Sequence, residues 1–380
     1  VGEPAPPRPP VGLVERWRAR LVAWLVDPAV RRRLSAHALT RPIARREARA
    51  VFDLVAGFTY SQVLLACVRL GVFAQLRAGA RPLDELARSM ELAPGMAARL
   101  LDAAVALRLL RRPSDAYYAL DQRGAPLAGD PGIAAMVEHH ALLYADLADP
   151  VALLRRGGGG GQLQAFWAYA GREAPERVDP AQVAAYSRLM AASQTLIADE
   201  VLDAWRPRGR RTLLDVGGGE GVFLSAVAAR ASQWRLMLFD LPPVVERARV
   251  RLDEQGLAAR VTLHAGSFHV DPLPTGADCI SFIRVLHDHD DDQVRHLLRA
   301  ARGALARGGE LLIAEPMAAT GGAEAMGDAY FGLYLLAMGS GRPRSVERLI
   351  ALLAEAGFVR PRTLPTRLPI QTRVLQAWAG

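Results

Sequence analysis

The sequence predicts an α/β fold, a mostly parallel sheet with helices on both faces, preceded by an α-helical domain of winged-helix-like arrangement. Three observations carry this. From residue 210 onward, short apolar runs of strand length alternate with helix-length amphipathic stretches, the pattern of repeated strand–helix–strand units. Residues 211–223 read RTLLDVGGGEGVF, an apolar run ending in Asp215, then glycines at 217, 218, 219 and 221, then a helix-like run from Val222. Such a glycine turn lets backbone bend sharply and approach a ligand at contact distance, which a Cβ would block. Finally, 82–90 and 94–110 read as two helices, followed over 111–127 by the short alternating pattern of a two-stranded wing.

Taken in order, residues 1–12 are Pro-rich and predict a tail. An Arg/Trp-rich helix over 15–26 places Trp17 and Trp24, seven apart, on one face, and a second helix follows near 28–39. A partner subunit or a membrane surface would cover such a stretch. A long amphipathic helix begins at 46 and ends at Gly71; Asp53, Ser61, Gln62 and Arg69 interrupt it, so no transmembrane span is expected. Helices are expected over 133–155, 162–169 and 180–205, with five glycines at 157–161 and a domain boundary at 206–209. Strands are expected over 212–216, 235–240, 260–265, 279–285 and 310–315, and a closing antiparallel hairpin over 362–368 and 372–378. The expected division is an arm over 1–45, a helical domain over 46–205 and a catalytic domain over 206–380.

Composition excludes little but disorder. The chain has 380 residues, 51% hydrophobic and 23% charged, and a net charge of +8. No Lys or Asn occurs, so every basic side chain counted is Arg, and a coding bias explains the charge as readily as a polyanionic partner does. The helix over 94–110 carries mostly Ala, Leu, Met and Val where a DNA reader needs polar side chains, so a packed helix and no nucleic acid are expected. Two distant cysteines, Cys67 and Cys279, suit a reduced, cytoplasmic protein, membrane-associated if the arm meets a bilayer.

Ligands of open α/β sheets sit beyond the carboxyl ends of strands. Those ends carry Asp215, then Asp240, then AGSF with Ser267 and Phe268, then RVLHDHDDDQV with His287, Asp288 and His289, and finally Glu315. The loop fails the dinucleotide pattern, because residue 222 is Val where a third glycine belongs. It matches acid-x-G-x-G-x-G instead.

These residues resemble the plant-type S-adenosylmethionine-dependent O-methyltransferases, the caffeic acid and hydroxyindole superfamily. LLDVGGGEG, LFDLP, AGSF, RVLHDHDD, ELLIAEP and MGSGRPRS match that family in order and spacing. Within it, AGFTYSQVLLACVRLGVF, LHDHDD and MGSGRPRS are most similar to bacterial enzymes that methylate the tertiary hydroxyl of hydroxyneurosporene and demethylspheroidene. The resemblance implies a class I methyltransferase fold, Rossmann-like with seven strands, a homodimer formed through the helical domain, S-adenosyl-L-methionine as cofactor and no metal.

Carried over residue by residue, the resemblance puts cofactor binding on Asp215, Gly217, Gly219, Asp240, Leu241, Ser267, Phe268 and Arg284. Asp240 would take the ribose hydroxyls, and Ser267 replaces the usual adenine-binding Asp. His287 becomes the general base and Glu315 its orienting carboxylate. A second family carboxylate falls on Pro343, leaving Asp288 or His289 as candidates for its role. A hydrophobic substrate would meet Tyr186, Met190, Tyr330, Phe331, Tyr334 and Met338. An O-methyltransferase of a phenolic or polyketide metabolite, a winged-helix regulator with a vestigial cofactor pocket, and a lapsed methyltransferase are the alternatives.

Overall fold

The structure, a computed structural model, describes residues 12–167, 180–209 and 211–380; within 180–204 the side chains of 180–188 and 192 are outside that description. Contacts divide the chain into two compact units after Arg123. By packing, the helices from 124 to 205, which the sequence groups with the winged-helix domain, stand in one unit with the sheet.

In the first unit α1 (Leu13–Val26), α2 (Pro28–Ala36) and α3 (Arg41–Arg69) succeed one another. Asp27 caps α2, its carboxylate accepting from the Ala29 N–H at 2.7 Å, with Pro28 opening the helix. Leu70 ends α3, and Gly71, at φ +66, turns the chain into α4 (Val72–Gln75). Then come β1 (Arg81–Pro82), α5 (Leu83–Ser89), α6 (Pro94–Ala106), β2 (Leu110–Ser114) and β3 (Tyr117–Leu120), with sheet order β1-β3-β2. The wing therefore has a third, two-residue strand that the sequence did not announce. Helix α6 buries Ala97, Leu101 and Ala104, the packed role expected of it, but it stops at Ala106 because Arg108 adopts φ +61 on the way into β2. Despite its interruptions, α3 is long and apolar enough to cross a membrane by length and composition, with 11% of its most apolar window buried.

The second unit opens with α7 (Ala125–Gly129), α8 (Pro131–Asp146), α9 (Pro150–Arg155), α10 (Gln162–Phe166) and α11 (Pro180–Ala204). From there strands and helices alternate: β4 (Thr212–Val216), α12 (Val222–Arg230), β5 (Arg235–Asp240), α13 (Pro242–Glu254), β6 (Val261–Ala265), β7 (Cys279–Ile283), α14 (Asp291–Ala304) and β8 (Glu310–Glu315). The chain closes with α15 (Phe331–Met338), α16 (Val346–Glu355), β9 (Phe358–Leu364) and β10 (Arg373–Ala379). The seven strands lie in the order β6-β5-β4-β7-β8-β10-β9; the first five are parallel, and β10 runs antiparallel to both its neighbours.

Alternation along the strands builds two cores. Leu311 and Ile313 of β8 join the cluster formed by α14 and α16, while Leu312 and Ala314 join that of α11, α12 and α13. The closing hairpin begins four residues earlier than expected, at Phe358, and Pro365, which has no N–H to donate, falls just beyond β9. Strand β7 ends at Ile283, two residues short of expectation, because Arg284 takes φ +59. Strand order reverses between β4 and β7, which opens a crevice at their carboxyl ends.

Candidate active site

A cavity of about 320 Å³ occupies that crevice. Asp215, Gly217, Gly219, Asp240, Leu241, Ser267, Phe268 and Arg284 all line it, so the residues expected to hold a cofactor converge on one space. Asp215 is fully buried and accepts from Ser281 Oγ at 2.6 Å; burial pushes its carboxyl up to about 7, against that hydrogen bond. Asp240 accepts from the backbone N–H of Gly219 at 2.8 Å and of Leu241 at 2.7 Å, and burial raises it to about 6 despite both donors. Gly217 (φ +69) has no room for a side chain, since a Cβ would fall 2.8 Å from Val285 Cγ2. A Cβ on Gly219 would meet no protein atom within 4 Å, only the cavity.

This donor set fits a nucleoside-bearing cofactor with an amino-acid end. Asp240 offers a carboxylate to vicinal hydroxyls, Leu241 and Phe268 offer apolar faces to a base, and Gly219 leaves backbone open for close approach. Ser267 gives its backbone N–H to Asp271 Oδ2 at 2.7 Å, leaving its hydroxyl with a 3.4 Å contact to the His269 N–H. Arg284 donates to Ser193 Oγ at 2.8 Å and reaches Met190 Sδ at 3.6 Å; it makes no ion pair among the described residues and can meet a ligand carboxylate.

His287 lies just behind this space, in the single 3-10 turn Leu286–Asp288 after β7. Its ring is 3% exposed and does not line the cavity, whereas Asp288 does. Glu315 Oε2 holds it from one side, accepting from the His287 backbone N–H at 3.0 Å and lying 3.3 Å from Nδ1. On the other side Asp288 Oδ1 stands 3.1 Å from Nε2, off the alignment of a hydrogen bond. Burial favours the neutral ring, but Asp288 and Glu315 together outweigh it and raise the pKa above the ordinary histidine value. His289 instead turns edge-on to Phe268, 5.3 Å between ring centroids, and burial with His269 beside it lowers it to about 3. Of the two candidates for the missing carboxylate, Asp288 therefore stands at the imidazole.

The segment MGSGRPRS straps this turn from outside. Arg344, 2% exposed, donates to the Leu286 carbonyl at 2.8 Å and the His289 carbonyl at 2.6 Å, and its Nε reaches Asp291 Oδ1 at 2.8 Å. The Arg342 N–H donates to the His287 carbonyl at 2.9 Å, and Ser340 Oγ to that of Asp288 at 3.0 Å. Burial works against the Asp291 charge, but Arg348, Arg344 and Arg342 surround it and hold it well below the usual carboxylate range. The sequence does not announce this role, although Arg342 and Arg344, following Gly339 and Gly341, carry its signal.

Met190 and Met338 line the cavity with Trp167 and Val285, as an apolar acceptor requires. Tyr330 and Tyr334 do not. His140 Nε2 lies 2.8 Å from the Tyr330 hydroxyl and His139 Nε2 2.7 Å from that of Tyr334, so α8 ties both rings into a neighbouring core. Phe331 meets the His287 ring edge-on at 5.9 Å. The Tyr186 side chain is outside the described residues.

A family model for the O-methyltransferase domain matches residues 144–359, and one for the O-methyltransferase dimerisation domain matches 52–128. Demethylspheroidene O-methyltransferase of Cereibacter sphaeroides is 45% identical over 329 residues, 87% of this chain and 86% of that protein. Acetylserotonin O-methyltransferase of Mus musculus is 34% identical over 354 residues, 88% of this chain and 90% of that one. Among solved structures, the S-adenosylmethionine-dependent methyltransferase SibL has a TM-score of 0.69 at 26% identity, over 87% of this chain and 98% of its own.

Proposed function

The chain belongs to the O-methyltransferase family, and on that premise we propose that it methylates the tertiary hydroxyl of an acyclic carotenoid of the demethylspheroidene or hydroxyneurosporene type. When bound, S-adenosylmethionine supplies an electrophilic methyl group on a sulfonium. The observation that carries the reading is the placement of His287 between Glu315 and Asp288, beside a cavity whose floor fits that cofactor and whose wall is apolar. The relative that is 45% identical carries demethylspheroidene in its name, which supports the acceptor class. The dimerisation-domain match supports a homodimer. Two buried free thiols, Cys67 and Cys279, suit a reducing cytoplasm.

In the proposed mechanism Asp240 would hold the ribose, Leu241 and Phe268 would flank the adenine with Ser267 beside it, and Arg284 would take the carboxylate. Glu315 fixes the imidazole with its proton on Nδ1, so the lone pair of Nε2 faces Asp288. Asp288, which reaches the cavity and faces Nε2, relays the acceptor's hydroxyl proton to His287 Nε2, which frees the acceptor oxygen to take the methyl group. The resulting imidazolium lies between two carboxylates, which offsets its burial. A tertiary alcohol is far less acidic than a phenol, so this alignment carries more of the barrier.

Incubating the protein with labelled methyl donor and a detergent-dispersed 1-hydroxycarotenoid tests the reading. A labelled methyl ether is expected. Turnover of a soluble phenol alone would assign the enzyme to a phenolic metabolite instead.

A further inference from the structure

We infer that the N-terminal arm, α1, α2 and the first turns of α3, is a docking surface for an anionic lipid bilayer. Residues 12–49 contain ten arginines against three acids, Glu15, Asp27 and Glu47, a net of +7 within a chain whose total is +8. The charge that composition spreads over the whole protein is therefore local. Arg31 donates to the Leu25 and Val26 carbonyls and Arg41 to that of Ala36, so these two cap helices. Arg16, Arg18, Arg20, Arg32, Arg33 and Arg45 make no side-chain hydrogen bond or ion pair among the described residues, leaving six free cations.

No residue of α1 is buried. At helical spacing Leu13, Trp17, Leu21 and Trp24 fall on one face, 76, 69, 52 and 52% exposed. Arg16 and Arg20 border that stripe on one side and Arg18 on the other. A tryptophan and leucine face edged by arginine is the chemistry of a helix lying in the headgroup plane, with rings at the acyl boundary and guanidiniums on lipid phosphates.

The charge decides against the other occupants. Self-association about a two-fold axis would set arginine against arginine, with three acids to compensate. The matched dimerisation domain starts at residue 52, beyond this segment, and accounts separately for the exposed apolar residues of α3 from Phe52 onward. Nucleic acid would meet the arginines but leave the Trp–Leu stripe in water.

Flotation of the full chain with phosphatidylcholine vesicles, with and without one-third phosphatidylglycerol, tests this. Binding is expected to the anionic vesicles, at least about tenfold weaker to neutral ones, and weaker still at about 1 M salt. The triple substitution Arg16→Gln, Arg18→Gln, Arg20→Gln should lower partitioning about a hundredfold, each Arg contributing about a factor of five. Trp17→Ser with Trp24→Ser should also release the protein. In the unmodified chain, brominated phosphatidylglycerol should quench tryptophan emission, a readout independent of any variant's folding. Absence of flotation, wild-type flotation by both variants, loss of the dimer in the tryptophan variant, or tighter retention on duplex DNA than on vesicles at equal salt each overturns the inference. It stands on the arm alone, so its failure and that of the carotenoid assay are separate results.

Discussion

A Cβ on Gly341 would collide with the carbonyl oxygen of His287, so the strap after α15 approaches the His287 turn as closely as backbone permits. Gly341 also sits at φ +79, which disfavours any side chain. Gly341→Ala should push the turn away and lower kcat by about 10- to 100-fold, the scale for a displacement of about 1 Å. Cofactor affinity, measured by calorimetry, should change little. Wild-type kcat in this variant would mean the strap does not position His287.

Arg344→Met removes donors to the buried Leu286 carbonyl and the half-buried His289 carbonyl, and one of three arginines around Asp291. Breaking a buried ion pair typically costs about 3–5 kcal/mol, and denaturant unfolding should register a loss of that order. A loss under about 1 kcal/mol would place the strap's stability elsewhere.

His287→Ala should abolish turnover and leave cofactor affinity within about threefold, because the ring does not line the cavity. Glu315→Gln should lower kcat by about 10²–10⁴, as loss of an orienting carboxylate does in a catalytic triad. A large loss of cofactor binding in the alanine variant would make His287 structural.

The acting form of His287 is the neutral ring. Since Asp288 and Glu315 outweigh burial and raise its pKa, kcat should rise with pH through a midpoint above the ordinary histidine value of about 6.5. Removing an anion favours the neutral ring, so Asp288→Asn should move that midpoint toward acid. An unmoved or alkaline-shifted midpoint in the pH–rate profile would take Asp288 out of the proton path.

Asp240, raised to about 6 by burial, binds hydroxyls best as a carboxylate. Cofactor affinity should be flat above that pH and fall below it, by at most about tenfold per pH unit. Asp240→Asn should bind about 10- to 100-fold more weakly, the loss of a charged hydrogen bond, and show a flattened profile. The same acid limb in the variant would shift the titration to another group, Asp215 first, which burial raises to about 7.

Much of the fold was legible because buried parallel strands need unbroken apolar runs, and such runs end visibly in Asp215, Asp240 and Glu315. All eight expected cofactor residues line one cavity for the same reason: chain order marks strand ends, and strand ends of such a sheet converge. Tyr330 and Tyr334 were misplaced because aromatics at helical spacing look alike whether they face a cavity or a core. His139 and His140, nearly two hundred residues earlier, decide which.

Local pattern alone determined the order of strands and helices, the glycine loop and its acid, and the charge gathered in the arm, since each is a property of residues near one another in the chain. Only tertiary structure decided that Asp288 stands at Nε2 of His287, that Arg344 straps the turn, and that Asp288 rather than His287 meets the cavity. Those are distances between side chains brought together by folding, and no spacing along a sequence contains them.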